Sequence, residues 1–189
     1  MNEVNLNAAR AKNLKTIRIL EQRSGQALHE CYQCGKCSAG CLMGPNMDIM
    51  PRQIVRLLQL GLLEDALKAK SPWICASCHV CTTRCPHEVK IADLMKCVRL
   101  EADRRGINPV FTVSIFTKIF LLPVKWFGRS NELIMTAFYN LRSGRILQNF
   151  QHVPKMLTGG KLAFIPERIK NRGAVKKLME NCEKEASKL

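Results

Sequence analysis

Apolar residues recur along this chain at steps of three and four, the spacing that places them on one face of a helix. Leu14, Ile17, Leu20 and then Leu28 mark a leading helix that packs beside the first of two cysteine-rich segments. In the 33 residues from Leu42 to Ile74, Ile54, Leu57, Leu58 and Leu62 form one such series, and Leu60, Leu63 and Leu67 another. Pro51 suits a first helical turn, and Gly61 divides this stretch into two short helices. Ile91, Leu94, Met95 and Val98 carry a helical face on to about Arg105, where Gly106 supplies a stop. The pattern predicts an all-α protein.

Residues 107–127 are the most hydrophobic run, but a membrane span needs about 20 apolar residues, and this run contains Lys118, Pro123 and Lys125. A lysine near the centre of a span costs roughly 3 kcal/mol on insertion scales, so no transmembrane span is expected. Phe111, Ile115, Ile119 and Leu122 make one stripe, with Phe116, Phe120 and Phe127 beside it. That broad apolar face needs a core or a partner to cover it. Helical pattern resumes from about Asn131 to Leu141, and Gly144, Pro154, Gly159, Gly160 and Pro166 then punctuate short segments. Leu162-Ala-Phe-Ile-Pro166 is too apolar to stay in water and too short to fold alone. Arg168 to Leu189 reads as a charged helix with a thin edge of Ile169, Val175, Leu178 and Met179. Residues 1–27 are thus a helical lead-in, 28–106 the principal domain, and 107–189 a basic, partly helical arm for docking onto a partner.

What the principal domain holds follows from its cysteines. Cys31-x2-Cys34-x2-Cys37-x3-Cys41 is repeated as Cys75-x2-Cys78-x2-Cys81-x3-Cys85, the second copy followed by Pro86. Three thiolates at x2 steps wrap three corners of a cubane, and the fourth points toward the other cluster. This rule assigns one [4Fe–4S] cluster to Cys31, Cys34, Cys37 and Cys85, and a second to Cys75, Cys78, Cys81 and Cys41. Two close redox centres pass electrons one at a time, which makes the domain a relay. Structural zinc is the competing reading, but zinc sites pair two C-x2-C knuckles across a long gap. Disulfides fit less well, because the chain opens polar and charged, with no apolar signal segment before the first motif; a cytoplasmic, reduced protein is expected. A radical S-adenosylmethionine enzyme needs a three-cysteine motif, and neither motif here lacks its fourth thiolate. Cys97 reads as a small buried hydrophobe and Cys182 as an exposed thiol. His79, His87 and Lys36 lie near ligands, where donated hydrogen bonds or charge tune a cluster. Met47 and Met50 read as core filler.

Charge adds a partner argument. The formal net charge is +15, and residues 107–189 hold 14 Lys and Arg against 5 Asp and Glu. Eight thiolates around two oxidised cubane cores lower the total by about 4, which leaves the loaded protein strongly basic. The basic residues are not interleaved with stacking aromatics and no nucleic-acid module is present, so nucleic acid is not an expected partner. A positive surface instead steers docking onto a larger redox protein.

Cys31-Tyr-Gln-Cys34-Gly-Lys-Cys37-Ser-Ala-Gly-Cys41, the approach Ser71-Pro-Trp-Ile-Cys75, and Cys75-Ala-Ser-Cys78-His-Val-Cys81-Thr-Thr-Arg-Cys85-Pro86 resemble the C subunit of heterodisulfide reductase from methanogenic archaea. The resemblance is strong over about residues 28–106 and looser in the tail, at Leu162-Ala-Phe-Ile-Pro166 and the basic helix after it. It implies an α-helical ferredoxin domain with two [4Fe–4S] clusters and an extended helical C-terminal arm. It also implies a non-catalytic electron-transfer subunit. A flavin-containing A subunit would feed electrons through it to a B subunit with CCG motifs, which reduces the heterodisulfide of coenzyme M and coenzyme B. A hydrogenase or formate dehydrogenase module would supply the A subunit. Cys41 is followed by Leu42, with proline displaced to Pro45, so the first motif departs from the pattern after Cys85. The same helical module resembles parts of succinate, fumarate and glycerol-3-phosphate dehydrogenases. A relay for another CCG-type or flavin-dependent oxidoreductase, and a zinc-stabilised basic binding module, therefore remain as alternatives.

Overall fold

In the computed structural model, which describes residues 5–144 and 169–188, all regular secondary structure is helical. The chain divides into two units, Met1–Val110 and Phe111–Leu189, a short step beyond Gly106.

The first unit is organised on one long helix, α7. Its elements in order are α1 (Leu6–Ser24), α2 (Lys36–Ala39), α3 (Pro51–Gln59), α4 (Leu63–Lys68), α5 (Ser71–Ile74), α6 (Val80–Thr83) and α7 (Ile91–Arg104). α1, α3, α4, α5 and α6 all pack against α7. Leu20, Ile54, Leu58, Leu63, Leu67, Leu94 and Val98 meet there and are essentially inaccessible to solvent, and each such side chain contributes about 1.5–3 kcal/mol by leaving water. Leu14, on the expected apolar face of α1, is exposed instead, because the helix turns Ile17 and Leu20 toward α7.

Local chemistry sets the ends of these helices. Asn5 Oδ1 accepts from the Ala8 N–H (3.1 Å) and starts α1, and Gly25, at φ +64°, closes it. Pro51 opens α3, where Gln53 Oε1 accepts from the Met50 N–H (2.7 Å). α3 stops at Gly61, whose φ of +81° favours glycine, and the Leu62 N–H reaches back to Leu57 O (2.9 Å). Asp48 caps α5 by accepting from the Lys70 N–H (2.8 Å), the Ser71 N–H (3.0 Å) and the Ser71 hydroxyl (2.5 Å). Burial raises the affinity of Asp48 for its proton, but these bonds and that from the Ile49 N–H outweigh it and hold the carboxyl below its ordinary value.

One buried charge ties three helices together. The Glu101 carboxylate on α7, 3% exposed, accepts from Arg104 (2.9 Å) and Arg105 (2.7 Å). Arg105 also reaches Glu64 of α4 (3.0 Å) and the Thr16 hydroxyl of α1 (3.2 Å). Burial alone would raise the Glu101 pKa, but the hydrogen bonds from Arg104 and Arg105 outweigh it and lower it. A depressed folded-state value means that the stabilisation is fully present above the ordinary glutamate range near 4.3 and is lost only as the pH falls through the folded value. Glu101→Gln is therefore expected to cost about 2 kcal/mol at neutral pH. In anaerobic denaturant unfolding that gap should hold constant from pH 8 to about 5.5; a gap that closes over this range contradicts the lowered value.

The second unit is built from α8 (Phe111–Phe127), α9 (Glu132–Ser143) and α10 (Arg172–Lys188), with α9 and α10 packed on α8. On α8, Ile115 and Ile119 are buried, whereas Phe111, Phe116, Phe120 and Trp126 remain substantially exposed. Rings meet across the unit as the pairs Phe116–Tyr139 (6.0 Å) and Trp126–Phe138 (6.2 Å). Ile169 lies against Gly128, and Lys125 pairs with Glu183 of α10 (3.0 Å). No helix among the described residues is long and apolar enough to cross a membrane. Pro154, Gly159, Gly160 and Leu162-Ala-Phe-Ile-Pro166 lie outside the described residues.

Candidate metal centres

Both cysteine motifs adopt the same backbone path. In the first, Gln33 (φ +66°) precedes Cys34 and Gly35 (φ +84°) follows it; in the second, Ser77 (φ +51°) precedes Cys78 and His79 (φ +59°) follows it. Left-handed residues on both sides of the second cysteine curl the backbone tightly there, the kind of turn from which a nest for the anionic sulfur of iron–sulfur sites is built. The left-handed residue then caps a four-residue helix, Gly35 before α2 and His79 before α6, and each helix carries the motif's third cysteine. α2 and α6 pack against one another, which draws the two motifs together.

The repeat extends beyond the cysteines. Ser38 follows Cys37, and its hydroxyl oxygen accepts from the Arg52 N–H in the first turn of α3 (3.1 Å). Thr82 follows Cys81, and its hydroxyl oxygen accepts from the Ala92 N–H in the first turn of α7 (3.3 Å). Each motif thus caps the long helix that comes after it. Neither residue stands out from the cysteine spacing, although they stand at matching places in the two motifs. Ser38→Ala and Thr82→Ala should each lower stability by about 1 kcal/mol in denaturant unfolding; unchanged midpoints would show that these contacts do not cap.

Two separate cavities result. One is lined by Cys31, Cys34, Cys37 and Cys85, together with Tyr32 and His87. The other is lined by Cys41, Cys75, Cys78 and Cys81, together with Met47 and His79. Lys36 borders the first cavity. Cys97 is buried on α7 and Cys182 is exposed on α10, and neither lines either cavity. Four thiols around each cavity are the donor set that takes a four-iron core bound at its corners. The thiols and the nests together fit a cubane.

Several neighbours hold this geometry. The Tyr32 and His87 rings meet edge to face with centroids 4.7 Å apart, joining the turn after Cys31 to the loop that carries Cys85. Gln59 Nε2 donates to Leu28 O and Cys31 O (both 2.8 Å), pinning the approach to the first motif. Gln33 Nε2 lies 3.5 Å from Cys31 Sγ as a weak donor. Met47 Sδ lies 3.9 Å from Cys41 Sγ, so this methionine belongs to the second site as well as to the packing. Gln59 and Met47 were not legible as site residues from spacing, and only the folded chain brings them in.

Acidity differs around the ring. The Lys36 backbone N–H, and after it the Tyr32 hydroxyl, hold the Cys34 thiol below its ordinary value although desolvation opposes them. Burial raises Cys37, and burial with the charge of Cys75 pushes Cys81 up to about 11. Metal loading at Cys37 and Cys81 therefore has to expel protons.

Comparison with known proteins agrees with this chemistry. Residues 27–89 match the 4Fe-4S dicluster domain family. The iron-sulfur C subunit of the CoB–CoM heterodisulfide reductase of Methanopyrus kandleri is 38% identical over 88 residues, 47% of this chain and 46% of that protein. The C subunit of the H2:CoB–CoM heterodisulfide,ferredoxin reductase of Methanothermobacter thermautotrophicus is 36% identical over 87 residues, 46% of this chain and 47% of that protein. A protein of Archaeoglobus profundus named for its likeness to the heterodisulfide reductase C subunit is 30% identical over 82 residues, 43% of this chain and 44% of that protein. The match spans about half the length of these curated relatives. Residues 27–89 are thus a 4Fe-4S dicluster domain, and the likeness of the chain is to the iron-sulfur C subunits of heterodisulfide reductases.

Proposed function

We propose that this chain is the electron-transfer subunit of a cytoplasmic heterodisulfide reductase and has no active site of its own. Cys31, Cys34, Cys37 and Cys85 hold one [4Fe–4S] cluster, and Cys75, Cys78, Cys81 and Cys41 hold the other. The observation that carries this reading is the lining of the two cavities, each with three thiols from one motif and the fourth from its twin. Bound cubanes supply one-electron transfer. The thiolates anchor them, the backbone nests at Gln33–Gly35 and Ser77–His79 offer N–H groups to their sulfur, and the Tyr32–His87 contact holds the Cys85 loop in place.

In this assignment electrons arrive from a flavin-containing A subunit, fed by a hydrogenase or formate dehydrogenase module. They leave to a CCG-type B subunit that reduces the heterodisulfide of coenzyme M and coenzyme B. Residues 107–189 dock the chain onto these partners, in keeping with the exposed Phe116 (45%) and Trp126 (48%). Protein purified without air should be brown and carry about 8 iron and 8 acid-labile sulfide per chain. Colourless protein with about 2 zinc would sink the proposal. Anaerobic pull-down should recover a CCG protein and a flavoprotein. Recovery of a flavoprotein dehydrogenase with a membrane anchor instead would assign the relay to another oxidoreductase.

A further inference from the structure

An open groove of about 920 Å3 lies between α1 and α3 in the first unit. Arg10 and Arg18 of α1 stand on one wall, and Arg52 and Arg56 of α3 on the other. Four arginines thus line one space. The only carboxylate on its wall is Glu21, which already accepts from the Leu28 N–H (2.8 Å). Among the described residues no carboxylate pairs with Arg10, Arg18 or Arg52, and Arg56 reaches only the neutral Gln59 (3.4 Å). Like charges left to face one another destabilise the free protein, so a groove built this way is suited to an anionic occupant.

The position of the groove tells what kind of occupant fits. Cys31, Tyr32, Gln33 and Arg52 border both this groove and the cavity of Cys31, Cys34, Cys37 and Cys85. An occupant held by the arginines therefore rests against the wall of that first site. The groove is open and, at about 920 Å3 with four arginines on its walls, has room and charge for a segment of protein chain rather than a small ion.

The geometry points to this groove as the docking site for a carboxylate-rich segment of the redox partner that exchanges electrons with the Cys31, Cys34, Cys37 and Cys85 centre. This rests on the relay reading above. The arginines bind and orient the partner's acidic segment; no bond is made or broken. Arg52 borders both spaces.

The test uses the full chain purified without air and a fluorescein-labelled octaglutamate peptide, with binding read by anisotropy. One peptide should bind per chain, and raising salt from 50 to 250 mM should weaken it about tenfold. Arg10→Glu with Arg18→Glu should weaken binding at least tenfold, and Arg10→Gln with Arg18→Gln by an intermediate amount. The same charge reversal placed on α10, Arg172→Glu with Lys177→Glu, should change it less than twofold. Equal losses from the α1 and α10 variants, or octathymidylate competing as well as the unlabelled peptide, would overturn the proposal. Iron content keeps the two readings apart. About 8 iron with no peptide binding rejects the groove and leaves the relay, whereas specific binding with no iron or sulfide rejects the relay.

Discussion

Replacing Cys85 by alanine will leave the protein with about four irons in place of about eight, and the missing ones will be those held by Cys31, Cys34 and Cys37. Cys85 belongs to the second motif in sequence but lines the first cavity, whereas Cys41, the last cysteine of the first motif, lines the second. Loss of one thiolate opens a corner of its cubane to water and oxidant, and an open cubane does not survive purification in air. Cys41→Ala should therefore strip the cluster held by Cys75, Cys78 and Cys81 and spare the other. The two variants are distinguished by adding a second change in each motif. Cys34→Ala on top of Cys85→Ala should remove no further iron, whereas Cys78→Ala on top of Cys85→Ala should remove nearly all that remains. The opposite pairing, read by iron and sulfide analysis and by the spectrum of the reduced protein, would refute the crossed ligand sets.

Gly61→Ala should destabilise the first unit by about 3 kcal/mol, more than any surface change in the chain. Two separate costs meet at this position. At φ +81° any side chain is strained, which accounts for about 1–2 kcal/mol. A Cβ built there would also sit 2.5 Å from the Arg10 Cα and 2.8 Å from its backbone nitrogen. Backbone cannot rotate out of the way as a side chain can, so α1 has to move off the turn between α3 and α4. Asn13, whose side chain donates to Gly61 O (2.8 Å), would be displaced with it. Gly106→Ala is the control, since Gly106 has φ +72° with nothing within 4 Å of the added atom. That variant should lose only the conformational part, about 1 kcal/mol. If both alanine variants unfold at the same denaturant concentration, close approach of α1 is not what selects glycine at 61. Hydrogen exchange should show the extra loss of protection concentrated in α1.

Much of this architecture is legible in the order of residues, and for local reasons. The three- and four-residue apolar steps around Ile54, Leu58, Leu63 and Leu67 report α3 and α4, because burial of one face is what makes short helices stable. Gly61 and Gly106 mark helix ends because a left-handed residue is needed there. Cysteine spacing reports the chemistry because a tight turn around a cubane leaves few other spacings possible. Cys97, read as a buried hydrophobe, is indeed buried on α7.

Where sequence reading stops, the missing quantity is distance across the fold. Nothing near Gln59 in the chain announces that its amide holds Leu28 and Cys31, 31 and 28 residues away. The Tyr32–His87 contact, the capping of α3 by Ser38 and of α7 by Thr82, and the Arg105 link from α7 to α1 and α4 are of the same kind. Periodicity also sets which face of a helix is apolar but not which neighbour covers it. Leu14 shares a stripe with Ile17 and Leu20, yet ends exposed on the wall of an arginine-lined groove. The residues in their order therefore determine an all-helical chain with two sets of four thiols, since turn and helix preferences act over a few positions. Which charges line one groove, and which remote side chains hold the thiol cavities, was decided only when packing against α7 brought remote segments side by side.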